Sequence, residues 1–172
     1  DNLKKLAGQL IIGGFRNNNI QKKSNIVKNI QKYNLAGVIL YDEDVAIGGT
    51  GTRNIKSQPQ VKKLIKDLKN YSNKQDLLIT IDQEGGIVHR LKSVYGFPET
   101  PSWKHIGLLN NELITKQFSD TISNTLLDIG INQSTKILII SNSSIEKYYG
   151  QKLENSLRKS EFKFKTLLIK EV

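Results

Sequence analysis

Apolar positions along this chain follow two alternating rhythms, short runs of strand length and longer stretches of helical period. Residues 9–15 predict a strand, and residues 25–33 predict a helix with Ile26, Val27 and Ile30 on one face. Residues 37–41 form the next strand pattern. A helix is expected over residues 57–71, with Pro59 in its first turn, where the missing N–H costs nothing. Val61, Leu64, Ile65 and Leu68 recur at helical spacing and are expected to face the core. Residues 77–81 read as a third strand. A loop then runs to Pro101, Ser102 is placed to cap a short turn containing Trp103, and residues 111–129 read as a long helix. Its inward side is expected to carry Leu113, Ile114, Phe118, Ile122 and Leu126. A last strand–helix–strand pattern covers residues 137–142, 145–157 and 162–169.

This βαβα order implies an α/β protein with a parallel sheet, and its spacing fits the first three to four units of a (β/α)8 barrel followed by a further βαβ unit. A complete barrel needs about 250 residues, more than the 172 present. In barrels, side chains at the C-terminal ends of strands line the site. Asp82 falls at such an end, and Gly85-Gly86 just after it let backbone or ligand approach closely.

Composition narrows the function classes. With 37% apolar and 24% charged residues, the chain is within the range of globular proteins. No apolar run is long enough to span a membrane. Without cysteine there is neither a disulfide nor a thiolate metal site, and the redox compartment stays open. No compartment is assigned: a cytoplasmic location, or export if a leader was removed ahead of Asp1, are the two expectations. The net charge of +10 comes mainly from Lys, since only 4 of the 26 basic residues are Arg. They are spread along helical stretches and lack the interleaved aromatics of nucleic-acid sites, so a solvated surface is expected and no nucleic-acid partner.

The string Ile79-Thr80-Ile81-Asp82-Gln83-Glu84-Gly85-Gly86-Ile87-Val88-His89-Arg90-Leu91, then Gly96-Phe97-Pro98 and Pro101-Ser102, carries the most specific signal. It closely resembles the N-terminal domain of family 3 glycoside hydrolases, especially the bacterial β-N-acetylhexosaminidases. Residues 6–15, Ala36-Gly37-Val38-Ile39-Leu40-Tyr41, Arg53-Asn54-Ile55 and Gln60-Val61 match the same family in order, so the resemblance extends over about residues 1–132. It implies hydrolysis of terminal β-linked N-acetylhexosamine with retention, and an N-acetylglucosamine-containing glycan as partner. It also implies that Asp82 accepts hydrogen bonds from sugar hydroxyls, that Arg90 contacts the sugar, and that Glu84 braces the loop. An Asp82–Arg90 ion pair is the alternative reading of the same two residues. The resemblance further implies an Asp nucleophile late in the barrel and a His acid/base in a Lys-His-Phe-Pro-Gly-His-Gly type motif. Neither occurs in these residues, so no catalytic residue is assigned and the chain is expected to be a truncated form. Lys104-His105 repeats two letters of that motif, but Ile106-Gly107 follows, and His105 is taken as a surface or helix-start residue.

Residues 133–172 depart from that family. Lys136-Ile137-Leu138-Ile139-Ile140-Ser141-Asn142, then Tyr149-Gly150, Leu153 and Ser156-Leu157, resemble the N-terminal segment of 3-dehydroquinate synthase. That resemblance implies that Asn142 and Glu171 lie near a dinucleotide surface, with the remaining NAD contacts beyond Val172. Three functional readings follow: a family 3 glycosidase portion, a non-catalytic sugar-binding remnant or fusion, and an NAD-binding segment. The division is expected at residues 1–132 and 133–172. No cofactor or metal is assigned. His89 has no partner at ligand spacing, and residues 48–52, although glycine-rich, lack the Lys-Ser/Thr of a phosphate loop and read as a flexible connection.

Overall fold

The computed structural model describes residues 2–74, 76–131, 137–142, 151–159 and 164–169. Its contacts divide into two compact units, Asp1–Ile131 and Asn132–Val172. In the first, strands β1 (Ile12–Gly14), β2 (Gly37–Leu40) and β3 (Leu78–Ile81) form a parallel sheet in the order β1-β2-β3. Gly13 pairs with Val38 and Val38 with Ile79. Helices α2 (Asn25–Tyr33) and α3 (Gln58–Ser72) make the two crossovers, as parallel neighbours require. This is the start of a (β/α) barrel.

Local chemistry sets the helix limits. Ser57 accepts the Gln60 amide hydrogen and starts α3 with Pro59 beside it, while α2 and α3 stop at Asn34 and Asn73, both in the left-handed conformation. The expected inward residues of both helices are buried, together with Val38, Leu40, Leu77 and Ile129. Gly37 allows the close approach of β2 and β3. A Cβ there would lie 2.5 Å from the Leu78 carbonyl oxygen.

Four expectations need correction. The first strand is shorter than residues 9–15 because an unexpected helix, α1 (Asn2–Gly8), precedes it. The amides of Gln9, Leu10 and Ile11 donate to carbonyls of Leu6, Ala7 and Gly8, so they close the helix end instead of entering the sheet. At the other end, the Phe15 carbonyl accepts from Arg53 and Asn54 side chains. Second, the loop after β3 contains an antiparallel hairpin, β4 (Gln83–Gly85) with β5 (Val88–His89), and a register irregularity at Gln83/Gly85. Third, Ser102 caps a seven-residue helix, α4 (Trp103–Leu109), rather than a turn. Finally, Leu113 in the first turn of α5 (Glu112–Asp128) is 73% exposed. The core reaches only the C-terminal part of α5, where Thr125 and the following Ile129 are buried, and Ile114, Phe118, Ile122 and Leu126 are half-buried.

The second unit is a βαβ arrangement. Strands β6 (Ile137–Asn142) and β7 (Phe164–Ile169) pair in parallel from Ile137↔Phe164 to Asn142↔Ile169, with α6 (Gln151–Lys159) between them in sequence. The expected helix over residues 145–150, the strand start at 162–163 and Glu171 lie outside the described residues. Among the described residues, no helix is long and apolar enough to cross a membrane.

Candidate functional site

Charged groups gather where β2 and β3 end. The chain leaves β2 through Tyr41, Asp42, Glu43 and Asp44, and leaves β3 at Asp82. The β4–β5 hairpin then brings Arg90 back to both. Its Nη2 lies 3.5 Å from Asp82 Oδ2, and its Nη1 lies 3.4 Å from Asp42 Oδ1. Asp82 and Arg90 are thus brought together, and the ion-pair contact exists. It is long for a charged hydrogen bond, and the Asp82 side chain remains 41% exposed.

Asp42 is different. Its side chain is fully buried, and besides Arg90 it meets Lys92 Nζ at 2.5 Å and accepts from the Tyr95 hydroxyl at 3.3 Å. Lys92 also reaches Glu43 Oε1 at 2.9 Å. Burial opposes the Lys92 charge, yet hydrogen bonds to Asp42 and Glu43 outweigh it and hold the ammonium above its ordinary range. Burial, reinforced by the Asp42 charge, raises the Tyr95 phenol, so Tyr95 stays a neutral donor. The Tyr41 ring lies 4.7 Å from the Arg53 guanidinium carbon and 5.4 Å from that of Arg90, within cation–π range.

Backbone geometry explains the return of Arg90. Gln83 Oε1 accepts the amide hydrogens of both Arg90 and Leu91 at 3.0 Å, and Gln83 Nε2 donates to Thr100 Oγ1 at 3.2 Å. Gly85 and Gly86 have φ of 76° and 63°. A Cβ on Gly85 would stand 2.3 Å from the Pro101 carbonyl oxygen, so the loop is fitted to glycine by both torsion and space. Glu84 is exposed at this hairpin.

The loop over residues 48–52 has left-handed glycines at 48, 49 and 51 and connects β2 to α3. Thr52 ties it down by accepting the Asp44 amide hydrogen and donating to the Gly49 carbonyl. Asp44 also pairs with Arg16. The hydrogen bond from Arg16 is the main cause holding the Asp44 carboxyl below its ordinary value of 3.8, with burial opposing it. A lowered folded pKa means that this stabilisation is complete above the unfolded value and fades as pH falls through the folded one. Asp44→Asn is therefore expected to flatten the stability loss below about pH 4. Thermal melts of both proteins between neutral and acidic pH check this, and parallel curves would refute it.

A cavity of about 730 Å³ has His89, Glu99, His105, Leu109 and Phe118 among its lining residues, and neither Asp82 nor Arg90. The charged strand-end cluster, which lies outside this cavity, carries the stronger chemical pattern. His105 is exposed in the first turn of α4. Among the described residues, no group of three His, Asp or Glu side chains could hold a metal ion. Asp42, Lys92, Tyr95 and the bridging role of Gln83 were not anticipated. Strand-end position was the available signal for Asp42, but nothing in sequence spacing marks its partners 48 to 53 residues away.

Residues 3–137 match the family model described as "Glycosyl hydrolase family 3 N terminal domain". The chain belongs to that family. A β-hexosaminidase of Actinobacillus succinogenes is 37% identical over 78 residues, 45% of this chain and 19% of that protein. One from Mannheimia succiniciproducens is 40% identical over 75 residues, covering 44% and 18%. The chain is also similar to 3-dehydroquinate synthase of Prochlorococcus marinus strain MIT 9312, at 42% over 64 residues, covering 37% and 15%. These matches span less than a fifth of each relative's length. No solved structure matches.

Proposed function

We propose that this chain supplies the sugar-recognition part of a family 3 glycoside hydrolase acting on terminal β-linked N-acetylhexosamine, with Asp82 and Arg90 as the sugar-binding residues. The observation that carries the reading is the half-exposed Asp82 beside Arg90 at the C-terminal end of β3, within a chain of this family. An ionised carboxylate offers acceptors only, which suits hydroxyl groups, and the arginine fork adds donors beside it. The complete family supplies retaining hydrolysis. Within the 172 residues here there is neither the acid/base motif nor the late-strand nucleophile.

Asp82→Asn is expected to weaken N-acetylglucosamine binding by about 1.5–3 kcal/mol, the worth of a hydrogen bond to a charged group. Arg90→Lys keeps charge but loses the planar fork, and is expected to weaken binding too. Ligand-observed NMR titration of the three proteins measures this. Wild-type binding left unchanged by both substitutions would remove the pair from the site.

A second reading rests on the 3-dehydroquinate synthase similarity and the parallel β6–α6–β7 arrangement. Residues 133–172 would then be the start of a nucleotide-binding fold, separate in origin from residues 1–132. Chemical-shift changes on adding NAD, confined to the second unit, would favour it.

A further inference from the structure

We infer that Asp42 is a positioning residue, the buried counter-ion that fixes Arg90 and thereby leaves Asp82 free for a ligand hydroxyl. The sugar-binding consequence rests on the function proposed above, whereas the control of Arg90 does not. Arg90 stands between two carboxylates that are unequal in everything but charge. Asp42 is fully buried and meets three donors, while Asp82 is 41% exposed and, among the described residues, has one ion-pair contact, at 3.5 Å. A buried carboxylate stripped of its partners carries a heavy desolvation penalty, so Asp42 holds its cations tightly. An exposed carboxylate deprived of one long contact simply hydrates.

The division of charge follows. Lys92 shares Asp42 with Arg90 and spends its remaining reach on Glu43. Arg90 is therefore held at one edge of its guanidinium by Asp42, at its backbone by Gln83, and across its plane by Tyr41. Its Nε is buried and has no hydrogen-bond partner among the described residues. That is a cost accepted only where the rest of the group is over-determined. With Arg90 pinned from below, most acceptor positions of Asp82 remain unspent. The ligand chemistry that uses such a carboxylate beside a fixed fork is a polyhydroxylated ring with neighbouring hydroxyls.

The test uses the whole chain and reads the Arg90 Nε–H directly by NMR, its signal identified by its disappearance in Arg90→Lys. The inference requires opposite effects from two substitutions. Asp42→Asn loosens the guanidinium, and Nε–H exchange with water should rise on the order of tenfold. Lys92→Gln leaves the Asp42 charge to Arg90 alone, and exchange should slow. Exchange accelerated alike by both, or changed by neither, would show Asp42 to be packing only. If Asp42→Asn fails to fold, the Lys92→Gln arm decides alone, slower exchange supporting the inference and unchanged or faster exchange overturning it. In the binding arm, Asp42→Asn should weaken N-acetylglucosamine binding in the wild type and add nothing once Arg90 is already Lys. A wild type that binds no sugar would sink the functional reading and leave the exchange result to decide the role of Asp42.

Discussion

Incubated with an aryl β-N-acetylglucosaminide, this 172-residue chain is expected to release the phenol no faster than buffer does. Retaining hydrolysis needs a carboxylate to attack the anomeric carbon and a second group to protonate the leaving oxygen. Enzymes of this kind must supply at least about a 10⁶-fold acceleration, and positioning a sugar without either group does not provide it. The carboxylates at the strand ends are committed elsewhere. Asp42 is out of reach of any substrate, and Asp44 is tied to Arg16 and to the amide of Ala46. Asp82 is accessible, but among the described residues no group beside it is placed as an acid/base. A turnover that survives purification and disappears in Asp82→Ala would overturn this expectation and make Asp82 a reacting group.

The largest expected stability effect comes from Gly85→Ala. A left-handed alanine costs roughly 1–2 kcal/mol, and forcing extra atoms into packed space costs about 1–3 kcal/mol more. Here the added carbon would meet the Pro101 carbonyl oxygen at 2.3 Å. A total near 3 kcal/mol is a large share of the about 5–15 kcal/mol that holds a typical domain folded. Gly96 supplies the control, since it also has positive φ, 83°, but nothing within 4 Å of its would-be Cβ. Gly96→Ala should cost only the torsional part. Urea denaturation followed by the fluorescence of the single tryptophan, Trp103, compares them. Equal losses would remove crowding from the explanation.

Legibility in the sequence tracked how local each cause was. The helix Asn25–Tyr33 and the helix begun by Ser57 and Pro59 were readable because apolar spacing and end-capping residues lie within a few positions of one another. β2 and β3 were readable as apolar runs because their faces meet helices and neighbouring strands. Helix α1 was hidden because Leu3 and Leu6 are exposed, so its apolar residues do not report a buried stripe. Its end depends on Gly8 abutting the Tyr33 carbonyl, a contact across 25 residues. Leu113 misled for the converse reason, since helical spacing says which residues share a face and not how far the core extends along it. In the site, Asp82 announced itself through its motif. Asp42 sits in a run of acidic residues that looks like any solvated loop, and only folding reveals that Lys92, Tyr95 and Arg90 close over it.

Among the described residues, three helices stop on asparagine rather than glycine, at Asn34, Asn73 and Asn110, all with positive φ. Such residues age by hydrolysis of the side-chain amide, which turns each stop into an aspartate. A new negative charge there would face the negative end of its own helix dipole and loosen the last turn by about 0.3–1 kcal/mol. The three positions would not age equally. Lys74 Nζ already donates to Asn34 Oδ1 at 3.1 Å and would become its counter-ion, whereas among the described residues no Lys or Arg side chain hydrogen-bonds to the Asn73 or Asn110 side chain. Old preparations of the protein should therefore fray at the ends of α3 and α4 before the end of α2.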